Sequence, residues 1–204
     1  MRIAVFGGTF DPVHNGHVQI VKAIADGNYA DKVLVLPAWE PPHKASVRTP
    51  YAHRLKMTEI AFDGMPGVEV SDMESKWQFV PSYSIRVLSA FQELYPHDTI
   101  QMVIGGDSLK NFTSWYNVRE LAEKFEFLIY PRRGEECDFD ALKTVIGEKA
   151  VQKMQKNVIN APFYEISSTI LRKKLANSEN TANFISEAVS DYINEQKLYR
   201  GKDD

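Results

Sequence analysis

Short apolar runs that alternate with helical segments are the feature that most constrains the fold of this chain. Five such runs occur, at residues 3–6, 32–36, 68–70, 99–104 and 126–130. Strands that are joined through helices run parallel, and a parallel sheet needs helices on both of its faces. We therefore predict an α/β fold built on a doubly wound parallel sheet, with the first strand at its centre.

The segments between the apolar runs have the spacing of amphipathic helices. Helices are predicted over residues 17–26, 51–62, 83–94 and 118–124, and over most of the last part of the chain. Residues 135–160 are expected to form one helix and a short strand. The expected core positions of the helices at 51–62 and 83–94 are Leu55, Ile60, Ala61, Ile85, Leu88 and Phe91.

Composition limits the class of protein. With 204 residues and 44% hydrophobic residues the chain can bury one core, so we expect a single domain over residues 1–204. A net charge of −3 argues against a general nucleic-acid binder. The single Cys137 excludes an internal disulfide, and neither a signal peptide nor a membrane span is recognisable. We expect a soluble cytoplasmic protein.

The first strand leads into the string Gly7-Gly8-Thr9-Phe10-Asp11-Pro12-Val13-His14-Asn15-Gly16-His17. Glycines after a buried strand let a phosphate approach the backbone closely. If a helix begins near Asn15 or Gly16, the rings of His14 and His17 lie at its N-terminus, which favours anions. The string therefore predicts a phosphate site that can carry chemistry.

Two other interpretations of this string are available. A Gly-Gly turn after a first strand is common in α/β folds. The three-residue spacing of Asp11, His14 and His17 could also indicate metal ligands, but no cysteine cluster or third histidine accompanies them. The complete order of residues favours the phosphate site.

A second hydroxyl-rich motif, Ile166-Ser167-Ser168-Thr169-Ile170-Leu171-Arg172, precedes a helical segment near the C-terminus. Hydroxyls in this position cap a helix, which stabilises it by about 1 kcal/mol. Free amides, hydroxyls and Arg172 one turn into the helix also suit an anion. We expect both functions.

Further polar residues follow the predicted strands directly: Lys44 after the second strand, Asp107 after the fourth, and Arg132 and Arg133 after the fifth. Ligands of such folds bind beyond the carboxyl ends of the strands. We therefore expect these side chains and both phosphate motifs at one rim of the sheet.

These motifs resemble those of a known enzyme family. The first string resembles the T/H-x-G-H signature of the nucleotidyltransferase superfamily and is close to that of bacterial nicotinate mononucleotide adenylyltransferases. Similar elements recur along the chain: Pro41-Pro42-His43-Lys44, Pro81-Ser82-Tyr83-Ser84, Ile104-Gly105-Gly106-Asp107-Ser108-Leu109, Trp115-Tyr116 and the ISSTxxR motif at 166–172. Ser84 replaces the usual threonine, and residues 74–80 lack the arginine and glycine that normally precede P-S-Y-T.

The resemblance implies a Rossmann-like fold and transfer of the AMP moiety of ATP to nicotinate mononucleotide, with Mg²⁺ carried mainly by ATP rather than by protein ligands. The implied catalytic residues are His17, His14, Lys44 and Arg172. The implied ATP-binding residues are Gly7, Gly8, Thr9, Phe10, His14, His17, Gly105, Asp107, Arg133, Ser167, Ser168, Thr169 and Arg172. The implied mononucleotide-binding residues are Thr9, Lys44, Ser82, Tyr83, Ser84, Trp115, Tyr116 and Arg133.

Two other functions stay open at this point: a related enzyme that uses phosphopantetheine or CTP, and a nucleotide-binding module without catalysis. The imidazoles and cations of the two motifs argue against the module, and the Pro81–Ser84 element with Trp115 argues against another acceptor. The sequence leaves the oligomeric state open, a homodimer included.

Overall fold

A parallel sheet of five strands forms the centre of the computed structural model, which describes residues 1–40, 49–130, 139–161 and 165–201. The strands lie in the order β3-β2-β1-β4-β5, with β1 central as predicted. Their bounds are β1 Arg2–Gly8, β2 Lys32–Pro37, β3 Val68–Val70, β4 Thr99–Gly105 and β5 Glu126–Tyr130. The predicted doubly wound α/β architecture is confirmed.

Ten helices are found in the described residues. Their bounds are α1 Asn15–Asp26, α2 Tyr51–Phe62, α3 Met73–Trp77, α4 Ser84–Leu94, α5 Gly106–Leu109, α6 Val118–Lys124, α7 Phe139–Ile146, α8 Glu148–Lys156, α9 Ser168–Ala176 and α10 Glu187–Glu195. A 3₁₀ turn, Phe112–Ser114, lies between α5 and α6. None of the helices in the described ranges is both long and apolar enough to span a bilayer.

The prediction for residues 135–160 is wrong in part. The described residues of this stretch form two helices, α7 and α8, and its only extended pairing is an isolated bridge between Val158 and Ile129. The two helices are separated by Gly147, whose φ is +83°. Glycine adopts a positive φ without strain, and this backbone conformation interrupts a helix.

The strand side chains alternate between two cores. Ile3 and Val5 of β1 point into a core that contains α4, α6, α7 and α8, and Ala4 and Phe6 point into a core that contains α1, α2, α9 and α10. Helices therefore cover both faces of the sheet, which is what a parallel sheet requires.

Two helices differ in how well their core positions were predicted. Ile85, Leu88 and Phe91 of α4 are buried as expected. In α2 the expected residues are only partly buried, and the buried positions are Arg54, Met57, Thr58 and Phe62. The helix is thus rotated relative to the prediction, because it buries a guanidinium.

The strand register brings the polar loops to one edge of the sheet. Gly8 of β1 pairs with Pro37 of β2, and Gly105 of β4 pairs with Tyr130 of β5, so these strands end at the same level. The loops that follow them form the rim at which ligands bind in such folds.

Candidate active site

A polar cavity of about 370 Å³ lies at this rim and brings the two phosphate motifs together. It is lined by Phe6, Gly7, Gly8, Thr9, Phe10, Asp11, His14, His17, Asp107, Tyr130, Ser167, Ser168, Thr169 and Arg172. Most of the residues that the sequence assigned to ATP therefore face one space. We call it the phosphate cavity.

The two imidazoles lie at the start of α1. His14 is the N-cap of the helix, is 5% exposed, and stacks on His17 with ring centroids 3.7 Å apart. The backbone N–H of His14 donates to Nδ1 of His17 at 3.2 Å. Because Nδ1 accepts this bond, the proton of neutral His17 lies on Nε2. His17 thus presents a donor at the N-terminal end of a helix that already favours anions.

The two glycines of the first motif have different local surroundings. A Cβ on Gly7 would meet no atom within 4 Å, so this position opens onto free space. A Cβ on Gly8 would lie 2.8 Å from the ring of Phe10, which is 1% exposed. Gly8 therefore makes room for a buried ring of the protein, in addition to the predicted approach of a phosphate to its backbone.

The C-terminal motif packs directly on the first motif. Ser167 caps α9 by accepting the N–H of Ile170 at 3.3 Å, and the Ser168 hydroxyl donates to the Pro12 carbonyl at 3.0 Å. Arg172 Nη1 donates to the Asp11 carbonyl at 2.7 Å, and Arg172 Nη2 to the Thr169 hydroxyl at 3.4 Å. The expected helix cap is therefore present, and Arg172 and Ser168 hold the C-terminal motif against the first motif.

The end of β4 places Asp107 on the wall of the phosphate cavity. Asp107 lies in the first turn of the short helix α5. The Tyr130 hydroxyl would lie 2.8 Å from a Cβ on Gly105, and Asp107 Oδ1 would be closer still. A side chain at position 105 would therefore displace one of these two polar groups from the strand end.

A second cavity of about 460 Å³ adjoins the first. We call it the aromatic cavity, and it is lined by Gly7, Gly8, Ala38, Glu74, Ser82, Tyr83, Ser84, Met102, Ser114, Trp115 and Tyr116. It contains five of the residues expected at the mononucleotide: Ser82, Tyr83, Ser84, Trp115 and Tyr116. Gly7 and Gly8 line both cavities, so the two spaces meet at the end of β1.

Aromatic rings form one wall of the second cavity. Tyr83 stacks on Tyr116 with centroids 4.3 Å apart, and the Arg86 guanidinium lies 5.4 Å from the Tyr83 ring centre. Trp115 packs against Phe112 at 5.2 Å. Such rings offer flat apolar surfaces suited to a planar heterocycle.

Two predicted residues of the site, Lys44 and Arg133, lie outside the described residues, and so does Arg132. Gly105 is described but does not line either cavity; it closes the strand beside Asp107.

Four buried residues that line the cavities or bond to residues that line them are absent from the predicted site: Asp11, Arg54, Glu74 and Tyr199. The Tyr199 hydroxyl donates to the buried Asp11 carboxylate at 2.7 Å, from a position 188 residues away. Burial and the Asp11 charge raise the pKa of Tyr199. Burial lowers the pKa of the Arg54 guanidinium and raises the pKa of the Glu74 carboxyl. No local sequence pattern marks these residues, because their partners are backbone groups or lie far along the chain.

Comparison with known proteins defines the class. Residues 5–174 match the family model described as cytidylyltransferase-like, so the chain is a nucleotidyltransferase. It is 32% identical over 198 residues to a protein of Oceanobacillus iheyensis named as a probable nicotinate-nucleotide adenylyltransferase, which covers 97% of this chain and 96% of the relative. A protein of Clostridium novyi with the same name is 33% identical, with 96% and 98% covered. The chain belongs to the nicotinate-nucleotide adenylyltransferase family.

A solved structure supports the fold. The nicotinic acid mononucleotide adenylyltransferase of Plasmodium falciparum, complexed with NaAD, has a TM-score of 0.75 to this chain, with 97% of each chain covered. At 22% sequence identity this similarity concerns the fold.

Proposed function

We propose that this protein transfers the AMP moiety of ATP to nicotinate mononucleotide, which yields nicotinate adenine dinucleotide and pyrophosphate in NAD biosynthesis. The observation that carries the proposal is the meeting of the two cavities at Gly7 and Gly8. One cavity has the donors and the cation that a polyphosphate needs, and the other has the aromatic wall that a pyridine ring needs.

The reaction needs no nucleophile from the protein. An oxygen of the mononucleotide 5′-phosphate forms a bond to the α-phosphorus of ATP, and the bond between that phosphorus and the bridging oxygen to the β-phosphorus breaks. The electron pair leaves with pyrophosphate, so no proton transfer is required. Catalysis then consists of holding two polyanions in line and stabilising the charge that builds up.

His17 and His14 are the central catalytic residues of this proposal. His17 Nε2–H would donate to the α-phosphate as its negative charge grows, and the hydrogen bond from the His14 backbone to Nδ1 supports the required tautomer. The stacked His14 ring would hold the same phosphates from the side.

The C-terminal motif supplies a positive charge to the proposed ATP site. Arg172, with Ser167, Ser168 and Thr169 on the same wall, would hold the β- and γ-phosphates. Asp107 would accept the ribose hydroxyls of the adenosine. Lys44 and Arg133 stay as proposals that rest on the family resemblance alone.

The mononucleotide would occupy the aromatic cavity. Trp115 would stack on the pyridine ring, and the backbone amides of Ser84 and Tyr116 would donate to its carboxylate. Ser84 opens the 11-residue helix α4, whose N-terminus favours a negative charge. Ser82 and Tyr83 would complete the pocket, and Thr9 would contact the mononucleotide from the phosphate cavity.

Mg²⁺ would arrive with ATP. Among the described residues no group of three or more His, Cys, Asp or Glu side chains could hold a metal ion, and the donors around the phosphate cavity suit phosphate oxygens. We propose that the ligands of the ion are mainly substrate oxygens and water. When bound, it would neutralise charge on the phosphates.

We further propose that residues 1–204 act as one adenylyltransferase domain in the cytoplasm, on small molecules and without nucleic acid or membrane. The support is one continuous sheet between two cores, a net charge of −3 and a single cysteine.

Pyrophosphate release with a panel of acceptors tests the proposal. We expect release from ATP with nicotinate mononucleotide, little with phosphopantetheine, and little when CTP replaces ATP. Release with phosphopantetheine or CTP but not with the expected pair would contradict the proposed function. So would tight ATP binding without turnover, which would indicate a binding module.

A further inference from the structure

A buried arginine lies beneath the junction of the two cavities. Arg54 is 2% exposed, and its guanidinium donates to four backbone carbonyls. Nη1 reaches Thr9 at 2.8 Å and Ala38 at 2.9 Å. Nε reaches Thr49 at 3.2 Å, and Nη2 reaches Trp39 at 3.4 Å. One side chain thus ties together four points of the backbone.

These four points belong to the loops that build the site. Thr9 lines the phosphate cavity and lies in residues 7–14, between the end of β1 and α1, which we call the glycine loop. Ala38 follows β2 and lines the aromatic cavity. Thr49 precedes α2, so Arg54 holds described residues on either side of the stretch 41–48. The Ala38 N–H also donates to the Gly8 carbonyl at 2.8 Å, which joins the two loops directly.

The peptide between Ala38 and Trp39 is held at both ends by opposite charges. Its carbonyl accepts from Arg54 and its N–H donates to Oε2 of Glu74 at 2.8 Å. Glu74 is 5% exposed and lines the aromatic cavity. The negative end of the peptide dipole faces the cation and the positive end faces the carboxylate, so both bonds are strengthened.

Arg54 also sets the direction of the glycine loop. In a trans peptide the carbonyl and the N–H point in opposite directions. Because the Thr9 carbonyl faces Arg54, the Phe10 N–H of the same peptide points away from it. Burial of a guanidinium is costly, and its lowered pKa reflects that cost. The four carbonyls offset it.

We propose that Arg54 is a positioning residue for the adenylyl transfer. It fixes the glycine loop and the 38–39 peptide so that the two substrates meet in line at Gly7 and Gly8, and Glu74 completes the arrangement from the other end of the peptide. The inference rests on the proposed function, since it concerns how that site is held.

Arg54→Lys tests it first, because lysine keeps the charge and loses the fork of donors. We expect kcat/KM for nicotinate mononucleotide to fall about 100-fold, the scale of a small misplacement of reacting groups. Arg119→Lys is the matched control, because Arg119 also donates to a backbone carbonyl, that of Val145 at 3.0 Å, but is exposed and lines neither cavity. An Arg54→Lys variant with wild-type kcat/KM overturns the proposal.

Chemical rescue separates positioning from a loss of stability. In Arg54→Ala, millimolar guanidinium should restore activity at least severalfold. Ammonium and urea should not, because only guanidinium combines a positive charge with a planar fork of N–H donors. Equal effects of all three additives would overturn the proposal. If Arg54→Ala does not fold, the Arg54→Lys comparison still decides.

A double-mutant cycle tests the role of Glu74. If Arg54 and Glu74 act through one peptide, Arg54→Lys combined with Glu74→Ala should lower kcat/KM hardly more than the worse single variant. Fully multiplicative effects would show that the two side chains act independently. Failure of the proposed function gives a different result: the wild-type protein itself would then release no pyrophosphate with any acceptor.

Discussion

At the scale of single residues, the two neighbouring glycines of the first motif give opposite expectations. Gly7→Ala should fold with an unchanged melting temperature, because its Cβ meets no protein atom, but the methyl group projects where the cavities meet. We expect a clear loss of kcat/KM. Gly8→Ala should lose about 1–3 kcal/mol of unfolding free energy, because the buried Phe10 ring must move.

Thermal unfolding and steady-state kinetics on both variants check this pair. A Gly7→Ala protein with normal kcat/KM would show that the junction does not carry the phosphates. A Gly8→Ala protein of wild-type stability would show that the Phe10 ring moves freely.

His17→Ala should lower kcat about 100-fold or more, with only a modest loss of ATP affinity, because the hydrogen bond that we propose from His17 to the α-phosphate would matter most in the transition state. His97→Ala serves as control, since this exposed histidine lies far along the chain from both motifs. Turnover and calorimetric ATP binding measure the two effects. Near-normal turnover would remove His17 from the mechanism.

Glu74 predicts a pH dependence of stability. Burial raises the pKa of its carboxyl, so the folded protein holds this proton more tightly than the unfolded chain does. The protonated Glu74 carboxyl therefore adds to the free energy of unfolding. This stabilisation is complete below the pKa of the unfolded chain, about 4.3, and is lost as the pH rises through the raised pKa of the folded protein. Glu74→Gln lacks this titration, so its unfolding free energy relative to wild type should increase from acid to neutral pH.

Denaturant unfolding at several pH values measures that difference. Glu93→Gln, which removes a carboxyl at an exposed position of α4, is the matched control. A difference for Glu74→Gln that stays constant with pH would contradict the assigned burial effect.

At the scale of elements, the segment after α10 supports the first motif through the bond from Tyr199 to Asp11. Tyr199→Phe removes a donor from a buried carboxylate, which should cost about 1–3 kcal/mol of stability. Because the Asp11 carbonyl accepts from Arg172, we also expect ATP affinity to fall severalfold. Tyr192→Phe is the matched control, since its hydroxyl meets His53 instead. Unchanged ATP affinity in Tyr199→Phe would limit the bond to a structural role.

The elements also show what sequence patterns can predict. The bounds of α2, α6, β3 and β5 agree with the prediction, because apolar spacing and flanking turns mark them locally. The short helices α3 and α5 were not predicted. Each has four or five residues, too few for a periodic pattern, and is stabilised by its place in the fold.

The candidate site was predictable to the same extent. Both phosphate motifs could be found because their residues are consecutive and carry anion-binding groups. Arg54 could not, since a single arginine in an amphipathic helix normally faces solvent and its partners here are carbonyls. Asp11 and Tyr199 are joined only by the folded chain.

At the scale of the whole molecule, the pairing of the two cavities predicts which acceptor is preferred. Nicotinate mononucleotide carries a carboxylate on its pyridine ring, whereas nicotinamide mononucleotide carries a neutral amide at the same position. Backbone N–H groups suit the carboxylate, whereas the amide NH₂ would face other donors. We expect selectivity for the acid of roughly 100-fold or more in kcat/KM.

Comparison of the two acceptors at saturating ATP and Mg²⁺ decides the matter. Equal kcat/KM values, or a preference for the amide, would mean that residues 74–80 supply an acceptor such as the Glu74 carboxylate. The adenylyltransferase activity itself would stand.

The phosphate cavity is assembled from the two ends of the chain. Asp11 contacts Arg172 across 161 residues and Tyr199 across 188. During synthesis on the ribosome the glycine loop therefore emerges long before its partners Arg172 and Tyr199. A growing chain that has not yet reached Arg172 lacks the wall of the phosphate cavity that Ser167, Ser168, Thr169 and Arg172 form.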